Sequence, residues 1–278
     1  MDVATFCGQS HVLLVAGKGG VGKTTMSAAL ANMAARAGCS VLIVELEGKS
    51  GITGAFGMAA DLGYEETQLA PRVRARRLTP DDALIEYLED HGLGRVSKRL
   101  ARSGVLDVVA TAIPGIRDVL VLGKVKQLER ERAADLIVVD GPATGHAVTF
   151  LTSAAGLVNA ARGGPLRTQA QDVVDLLSDP ARCRVILVTL PEELPVSETI
   201  ESAYTLEDKA GVQLGPVIVN IVCFHALMAP AGLPMAIIVS VLALFLLWRH
   251  RENFAGIVRG VPACRGSTNQ AIAAIPKQ

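Results

Sequence analysis

The sequence predicts an α/β fold, a doubly wound and mostly parallel β-sheet with helices on both of its faces. Short apolar segments typical of buried strands alternate along the chain with longer segments typical of helices. The first of these strands leads directly into a glycine-rich loop and then a helix, and folds of this kind bind their ligands at the carboxyl ends of the strands. A chain of 278 residues is long enough for one such domain, or for one domain and an appendage.

The N-terminal part of the chain contains a βαβ unit. Residues 11–16 form an uninterrupted apolar run, which predicts a strand buried on both faces. Residues 24–37 are rich in alanine and predict a helix, and Gly38 stands where glycine commonly ends one. A second apolar run, residues 40–46, predicts the next strand. We expect the crossover between the two strands to be right-handed.

The middle of the chain begins with a basic strand. Apolar residues alternate with arginines over residues 73–78, and together with Arg72 they predict an edge strand with a basic outer face. Such a face is either solvated or a patch for phosphate or nucleic acid, and we interpret it as solvated. Thr79 and the acidic turn that follows predict a helix start. Residues 82–132 are predicted to be mostly helical, with an interruption at Pro114.

Three further apolar runs predict the remaining strands of the sheet. Residues 135–139 form a buried strand that ends at Asp140, and residues 185–190 and 217–220 form two more. Since the strands are expected to be parallel, their carboxyl ends meet at one edge of the sheet, beside the glycine-rich loop.

Composition excludes several classes of protein. The 27 basic and 27 acidic side chains cancel, and aromatic residues make up only 4% of the chain, which argues against nucleic acid as a partner. The five cysteines form no Cys-x-x-Cys pair, so no zinc or dithiol motif is recognisable. Scattered cysteines and the lack of a basic N-terminal region favour a cytoplasmic location, with membrane association left open by the apolar tail considered below.

The glycine-rich loop carries the strongest functional signal. It matches the pattern G-x-x-x-x-G-K-[ST] between a strand and a helix, which predicts a P-loop that binds ATP with Mg²⁺. Glycines let backbone N–H groups surround a triphosphate, and the helix N-terminus favours its negative charge. Lys23 is expected to reach the β- and γ-phosphates, and Thr24 to supply a hydroxyl to Mg²⁺. The loop residues assigned to nucleotide binding are Gly17, Gly19, Gly20, Val21, Gly22, Lys23, Thr24 and Thr25.

Carboxylates at the ends of two strands are predicted to lie at the same edge. Asp140 ends a buried strand, where it can hold Mg²⁺ directly or through water, and residues 141–146 are interpreted as a loop that senses the γ-phosphate. His146 is either a metal ligand or base, or a structural histidine, and we favour the structural role. Glu45 and Glu47 end the second strand on one face, and either one orients the attacking water or both belong to a solvated loop start.

These motifs resemble those of the ArsA-like ATPases, which include the arsenite-pump ATPase and the ATPase that delivers tail-anchored membrane proteins. The resemblance extends over about residues 10–220 and is closest to actinobacterial members known as anion-transporting ATPases. Its specific parts are GKGGVGKTT, the string DGPATGH at 140–146 and the segment IPGIRD at 113–118. Looser matches occur at 78–88, 190–199 and 217–220.

The resemblance implies a role for each matching residue. The loop becomes a deviant Walker A motif, in which Lys18 reaches across a dimer to the partner's nucleotide. Asn220 would contact adenine, and Glu47 would stand where the family has a water-activating aspartate. The partner would be a second copy of the chain or a related ATPase, giving a homodimer or a heterodimer. Since the family's zinc-binding and arsenite-binding cysteines are missing, the client, a protein or an anion, stays unknown.

The C-terminal tail departs from the family. We divide the chain into an ATPase domain, residues 1–220, which is truncated relative to the family, and an atypical tail, residues 221–278. Within the tail, residues 226–248 include no charged residue and would span about 35 Å as a helix, enough to cross a bilayer. Residues 233–254 weakly resemble the last membrane helix of glycerol-3-phosphate acyltransferases. The tail is a fusion or truncation product, a membrane anchor, or a helix packed on the sheet.

The sequence therefore predicts a dimeric, Mg²⁺-dependent ATPase that couples its nucleotide state to a client or partner. The alternative is a nucleotide-binding assembly protein with negligible turnover, such as one subunit of a heterodimer. A truncated ATPase without function is the third interpretation.

Overall fold

The computed structural model describes residues 9–46, 51–90, 92 and 115–220. Within them lies a seven-stranded sheet with the order β3-β4-β2-β5-β1-β6-β7. Its strands are β1 Val12–Gly17, β2 Val41–Leu46, β3 Thr67–Ala70, β4 Val73–Leu78, β5 Leu136–Ala143, β6 Cys183–Thr189 and β7 Ile218–Val219. All neighbouring strands are parallel except β3 and β4, so the predicted doubly wound, mostly parallel fold is confirmed.

Helices connect the strands and cover the sheet. They are α1 Lys23–Arg36, α2 Ile52–Ala55, α3 Pro80–Asp90, α4 Ile116–Arg130, α5 Thr144–Ala160, α6 Pro165–Ser178 and α7 Glu193–Ala210. The interruption predicted around Pro114 is consistent with Gly115, whose backbone is left-handed (φ 79°) at the N-terminus of α4. The rest of the long helical region predicted between α3 and α4 lies outside the described residues.

Each face of the sheet has its own hydrophobic core, which explains why the strands are apolar throughout. In β1, Val12 and Leu14 pack in one cluster with α4, α5, α6 and α7, whereas Leu13 and Val15 pack in the other with α1. Both clusters are almost completely removed from water. A strand covered on both faces has no solvent side, so the alternation of apolar and polar residues disappears.

The first βαβ unit forms as predicted. The backbone of Gly22 is left-handed (φ 85°) immediately before α1, and Gly38 is left-handed (φ 98°) just beyond its end. The chain then turns back into β2, as the hydrogen bond from the Cys39 amide to the Ala34 carbonyl shows. Helix α3 also begins as predicted, because the Thr79 hydroxyl accepts a hydrogen bond from the amide of Asp82 at 3.1 Å.

The prediction that residues 73–78 form an edge strand with a solvated basic face is wrong. Strand β4 lies between β2 and the short antiparallel strand β3, which the sequence analysis missed. Arg76 is buried, and its guanidinium lies 4.2 Å from the ring centre of Tyr64. Arg74 donates hydrogen bonds to Glu66 and to the Ala133 carbonyl. Arg74 and Arg76 thus contact groups outside β4 instead of forming a fully solvated face.

The loop predicted for residues 141–146 is also wrong. Strand β5 continues to Ala143, which pairs with Gly17 of β1, and α5 begins at Thr144. The pairing of β5 with β2 ends at Asp140, and β5 continues beside β1 after a shift in register. Gly141 allows this continuation, since a β-carbon there would lie only 2.5 Å from the Val15 carbonyl oxygen.

The tail, residues 221–278, lies outside the described residues, and so does its apolar segment 226–248. Within the part of the chain that is described, no helix combines the length and the apolar character needed to cross a membrane. The division of the chain at residue 220 and the three interpretations of the tail therefore stay predictions.

Candidate active site

The glycine-rich loop lies at the carboxyl edge of the sheet, between β1 and α1. Gly17 closes β1 and is aligned with Val188 of the neighbouring strand β6. A β-carbon at Gly17 would lie 2.2 Å from the Val188 carbonyl oxygen, a distance that real side chains do not reach. This close approach fixes where the loop leaves the sheet, and only glycine permits it.

Lys23 begins helix α1 and is almost completely buried, with 8% of its surface exposed. Its ammonium donates a hydrogen bond of 2.9 Å to the backbone carbonyl of Lys18, within the same loop. The cation is therefore held inside the curve of the loop. A phosphate that entered the loop would replace this carbonyl as the hydrogen-bond partner of the lysine ammonium.

Thr24 and Asp140 come together at the base of the loop, as the sequence predicts. The Thr24 hydroxyl donates to one carboxylate oxygen of Asp140 at 2.8 Å, and the hydroxyl of Ser27 donates to the other at 3.2 Å. Asp140 is completely buried. Ser27 was not singled out from the sequence, although its position one helical turn after Lys23 places it on the same side of α1.

The donor set around Asp140 suits Mg²⁺. A hydroxyl and a carboxylate are hard oxygen ligands, and Mg²⁺ in nucleotide sites is usually held by one or two such groups together with water and phosphate oxygens. Among the described residues there is no group of three or more His, Cys, Asp and Glu side chains that could hold a metal without the nucleotide.

Glu45 is not a solvated residue at the start of a loop. It is buried, and one of its carboxylate oxygens accepts hydrogen bonds from the amides of Gly51 at 3.0 Å and Ile52 at 3.3 Å. The other oxygen accepts from the guanidinium of Arg77 on β4 at 3.1 Å. Glu45 thus fixes the start of α2 to the end of β2, with both oxygens occupied.

Glu47, the other carboxylate of the predicted pair, lies outside the described residues. The residues on either side that are described lie at the site. Leu46 ends β2, and Gly51 lies so close to Thr24 that a β-carbon on the glycine would be 3.1 Å from the threonine methyl group. The assignment of Glu47 as the water-orienting carboxylate stays a prediction.

Asn220 lies next to the loop, which its position in the sequence alone does not show. Its backbone amide donates to the Thr189 carbonyl at 2.8 Å, and its side-chain amide donates to the Val21 carbonyl at 2.9 Å. Asn220 therefore joins the end of β7 to the glycine-rich loop. Its predicted contact with adenine stays a prediction.

His146 is exposed in the first turn of α5. It lines a pocket of about 320 Å³ together with Asp118. Burial raises the pKa of the Asp118 carboxyl, and the nearby His146 opposes that rise. The choice for His146 between a structural role and a role as metal ligand or base stays a prediction.

Lys18 lies at the outer side of the loop and points away from it. Its ammonium forms an ion pair with Glu198 of α7, at a distance of 2.8 Å. About a third of each side chain is exposed, 34% for Lys18 and 37% for Glu198. Glu198 was not predicted from the sequence as a site residue.

Known proteins are similar to this chain over most of its length. Residues 10–160 match the family model described as anion-transporting ATPase. The chain is 39% identical over 221 residues to the ATPase BagA of Mycobacterium tuberculosis, an alignment that covers 74% of this chain and 64% of that protein. It is 31% identical over 142 residues to the ATPase get3 of Schizosaccharomyces japonicus, covering 50% of this chain and 42% of the relative.

A third relative is the arsenical pump-driving ATPase of Acidiphilium multivorum, 29% identical over 217 residues. That alignment covers 75% of this chain but 34% of the relative. The chain thus spans less than two thirds of the length of each of these relatives.

Proposed function

The chain belongs to the anion-transporting ATPase family, and we propose that it binds and hydrolyses ATP with Mg²⁺ as a dimer. The observation that carries this proposal is the hydrogen bond between Thr24 and the buried Asp140 at the base of the glycine-rich loop. Two relatives with matching segments are named as ATPases, and one is named as the ATPase that drives an arsenical pump. The client of this chain, a protein or an anion, is left unassigned.

The proposed reaction assigns one task to each side chain. The loop's backbone amides bind the phosphate oxygens. The Lys23 ammonium leaves the Lys18 carbonyl and donates to a phosphate oxygen instead. Thr24 and Asp140 would hold Mg²⁺, Asp140 directly or through water, and the bound metal would neutralise charge on the phosphates. Glu47 orients the attacking water, and Lys18 of one subunit stabilises the transition state in the other.

We expect the full chain to release phosphate from ATP only when Mg²⁺ is present. Its metal ligands are oxygens that need the phosphates to complete the coordination, so a chelator should remove turnover completely. Steady-state phosphate release with and without EDTA measures this. Release that persists in EDTA would contradict the proposed use of Asp140. Binding of an ATP analogue without turnover would favour the alternative function, an assembly subunit.

The carboxylates at the end of β2 should separate into two roles when each is replaced by glutamine. We expect Glu47→Gln to slow hydrolysis by about 10²-fold with nearly unchanged ATP affinity, because a water-orienting carboxylate acts in the transition state. Glu45→Gln should instead lower the free energy of unfolding by about 1–3 kcal/mol, since it weakens charge-assisted hydrogen bonds to buried partners.

Single-turnover hydrolysis and chemical denaturation of both variants measure the two effects. The variants are matched controls for one another, because each removes one carboxylate charge and the two residues are two positions apart in the sequence. A larger loss of turnover in a fully folded Glu45→Gln protein would reverse the assignment of the two residues.

A further inference from the structure

Lys18 is paired with Glu198 in this structure, whereas the proposed function gives Lys18 a different partner. In that function Lys18 acts on the nucleotide of the other subunit. In this structure its ammonium lies 2.8 Å from a carboxylate oxygen of Glu198 in the same chain. A contact of Lys18 across a subunit interface would therefore compete with this ion pair for the same ammonium.

The fold fixes the position of Glu198 beside the loop. Strand β6 pairs with β1 up to Gly17 and Val188, and α7 begins shortly after β6. Pro195 and Thr199 are buried on the inner side of α7, where the Thr199 hydroxyl donates to the Pro195 carbonyl at 2.7 Å. Glu198 therefore reaches Lys18 from a helix that is anchored on both sides of it.

The Lys18 side chain can leave Glu198 without disturbing the loop. Its backbone carbonyl is held from inside the loop by the Lys23 ammonium at 2.9 Å, whereas its own ammonium lies at the surface. Exposed ion pairs of this kind are weak, and losing one shifts an equilibrium by no more than about five-fold. The pair is strong enough to compete with another contact of Lys18 and weak enough to be exchanged for it.

We propose that Glu198 is a positioning residue that retains Lys18 in its own subunit, so that pairing with Glu198 competes with the action of Lys18 across the dimer. This inference rests on the proposed function, because it presumes that Lys18 acts in the other subunit. Glu198 then lowers turnover at protein concentrations where the dimer is incompletely formed, and has little effect on the binding of nucleotide to the loop.

The test replaces Glu198 by glutamine, which keeps the size of the side chain and removes its charge. We expect turnover per site to rise about two- to five-fold at low protein concentration, and half-maximal turnover to move to a lower protein concentration. Affinity for a non-hydrolysable ATP analogue should be unchanged. The matched control is Glu201→Gln on the same helix, since Glu201 is exposed and makes no ion pair with another described residue.

The double variant Lys18→Ala/Glu198→Gln shows whether the effect passes through Lys18. We expect it to behave as Lys18→Ala alone, because the carboxylate then has no ammonium to retain. A fall in turnover in Glu198→Gln, or no change in turnover or in its dependence on protein concentration, would overturn the inference. So would an equal gain in the Glu201→Gln control.

Failure of this inference can be distinguished from failure of the proposed function. If Lys18→Ala lowers turnover while Glu198→Gln changes nothing, only the role of Glu198 is wrong. If Lys18→Ala leaves turnover unchanged, the action of Lys18 across the dimer is wrong, and the inference about Glu198 is overturned with it.

Discussion

Replacing Lys23 by alanine should lower kcat/KM for ATP by at least about 10³-fold. The side chain is buried at the start of α1 and its ammonium is directed into the glycine-rich loop, where a phosphate would bind. A donor at this position interacts with the nucleotide both before and during phosphoryl transfer, so its loss removes binding energy as well as transition-state stabilisation. Removing one such donor from an enzyme site commonly costs about 10²–10³-fold in the chemical step alone.

The effect should come from the site and not from unfolding. Within the described protein, Lys23→Ala removes the hydrogen bond to the Lys18 carbonyl, a contribution of about 1 kcal/mol to stability. Phosphate release, ATP-analogue binding and thermal unfolding should therefore be measured on the same preparation. Lys209→Ala is the matched control, since Lys209 is exposed in the last turn of α7. Near-normal hydrolysis by folded Lys23→Ala would refute the assignment of the loop.

Strands β1, β2, β5 and β6 could be predicted from the sequence because burial on both faces makes them continuous apolar runs. The order of β4 and β3 could not, because the arginines of β4 produce the same alternation as a solvated edge strand. The groups that contact Arg74 and Arg76 belong to the segments that precede β3 and β5, as the contacts with Tyr64 and Ala133 show. Such pairing depends on tertiary structure, which a local pattern does not contain.

The candidate site likewise contains residues that could be predicted from the sequence and residues that could not. The glycine loop and Asp140 were predictable because a short motif and a strand end determine their positions. The role of Glu45 was not, since its partners include backbone amides, at Gly51 and Ile52, which have no signature in the sequence. Glu198 shows the same limit, because its ion pair with Lys18 joins residues 180 positions apart in the chain.

Replacing Lys18 by alanine should lower hydrolysis by about 10³-fold or more while nucleotide binding is retained. A cation supplied by one subunit to the nucleotide of the other stabilises charge in the transition state, and groups acting in trans in this way contribute about 10³–10⁵-fold. Binding should persist because the ammonium of Lys18 points out of the loop toward Glu198, whereas the ammonium of Lys23 lies within it.

Protein concentration provides the decisive measurement. Wild-type turnover per site should rise with concentration as dimers form, because each site needs Lys18 of the other subunit. Mixing Lys18→Ala with a Lys23→Ala chain should restore part of the activity, since in a mixed dimer the Lys23→Ala chain supplies its Lys18 to the intact loop of the other. Each variant alone should remain inactive. If the mixture stays inactive and wild-type turnover per site is independent of concentration, Lys18 does not act across a dimer, and its ion pair with Glu198 is a contact of the monomer alone.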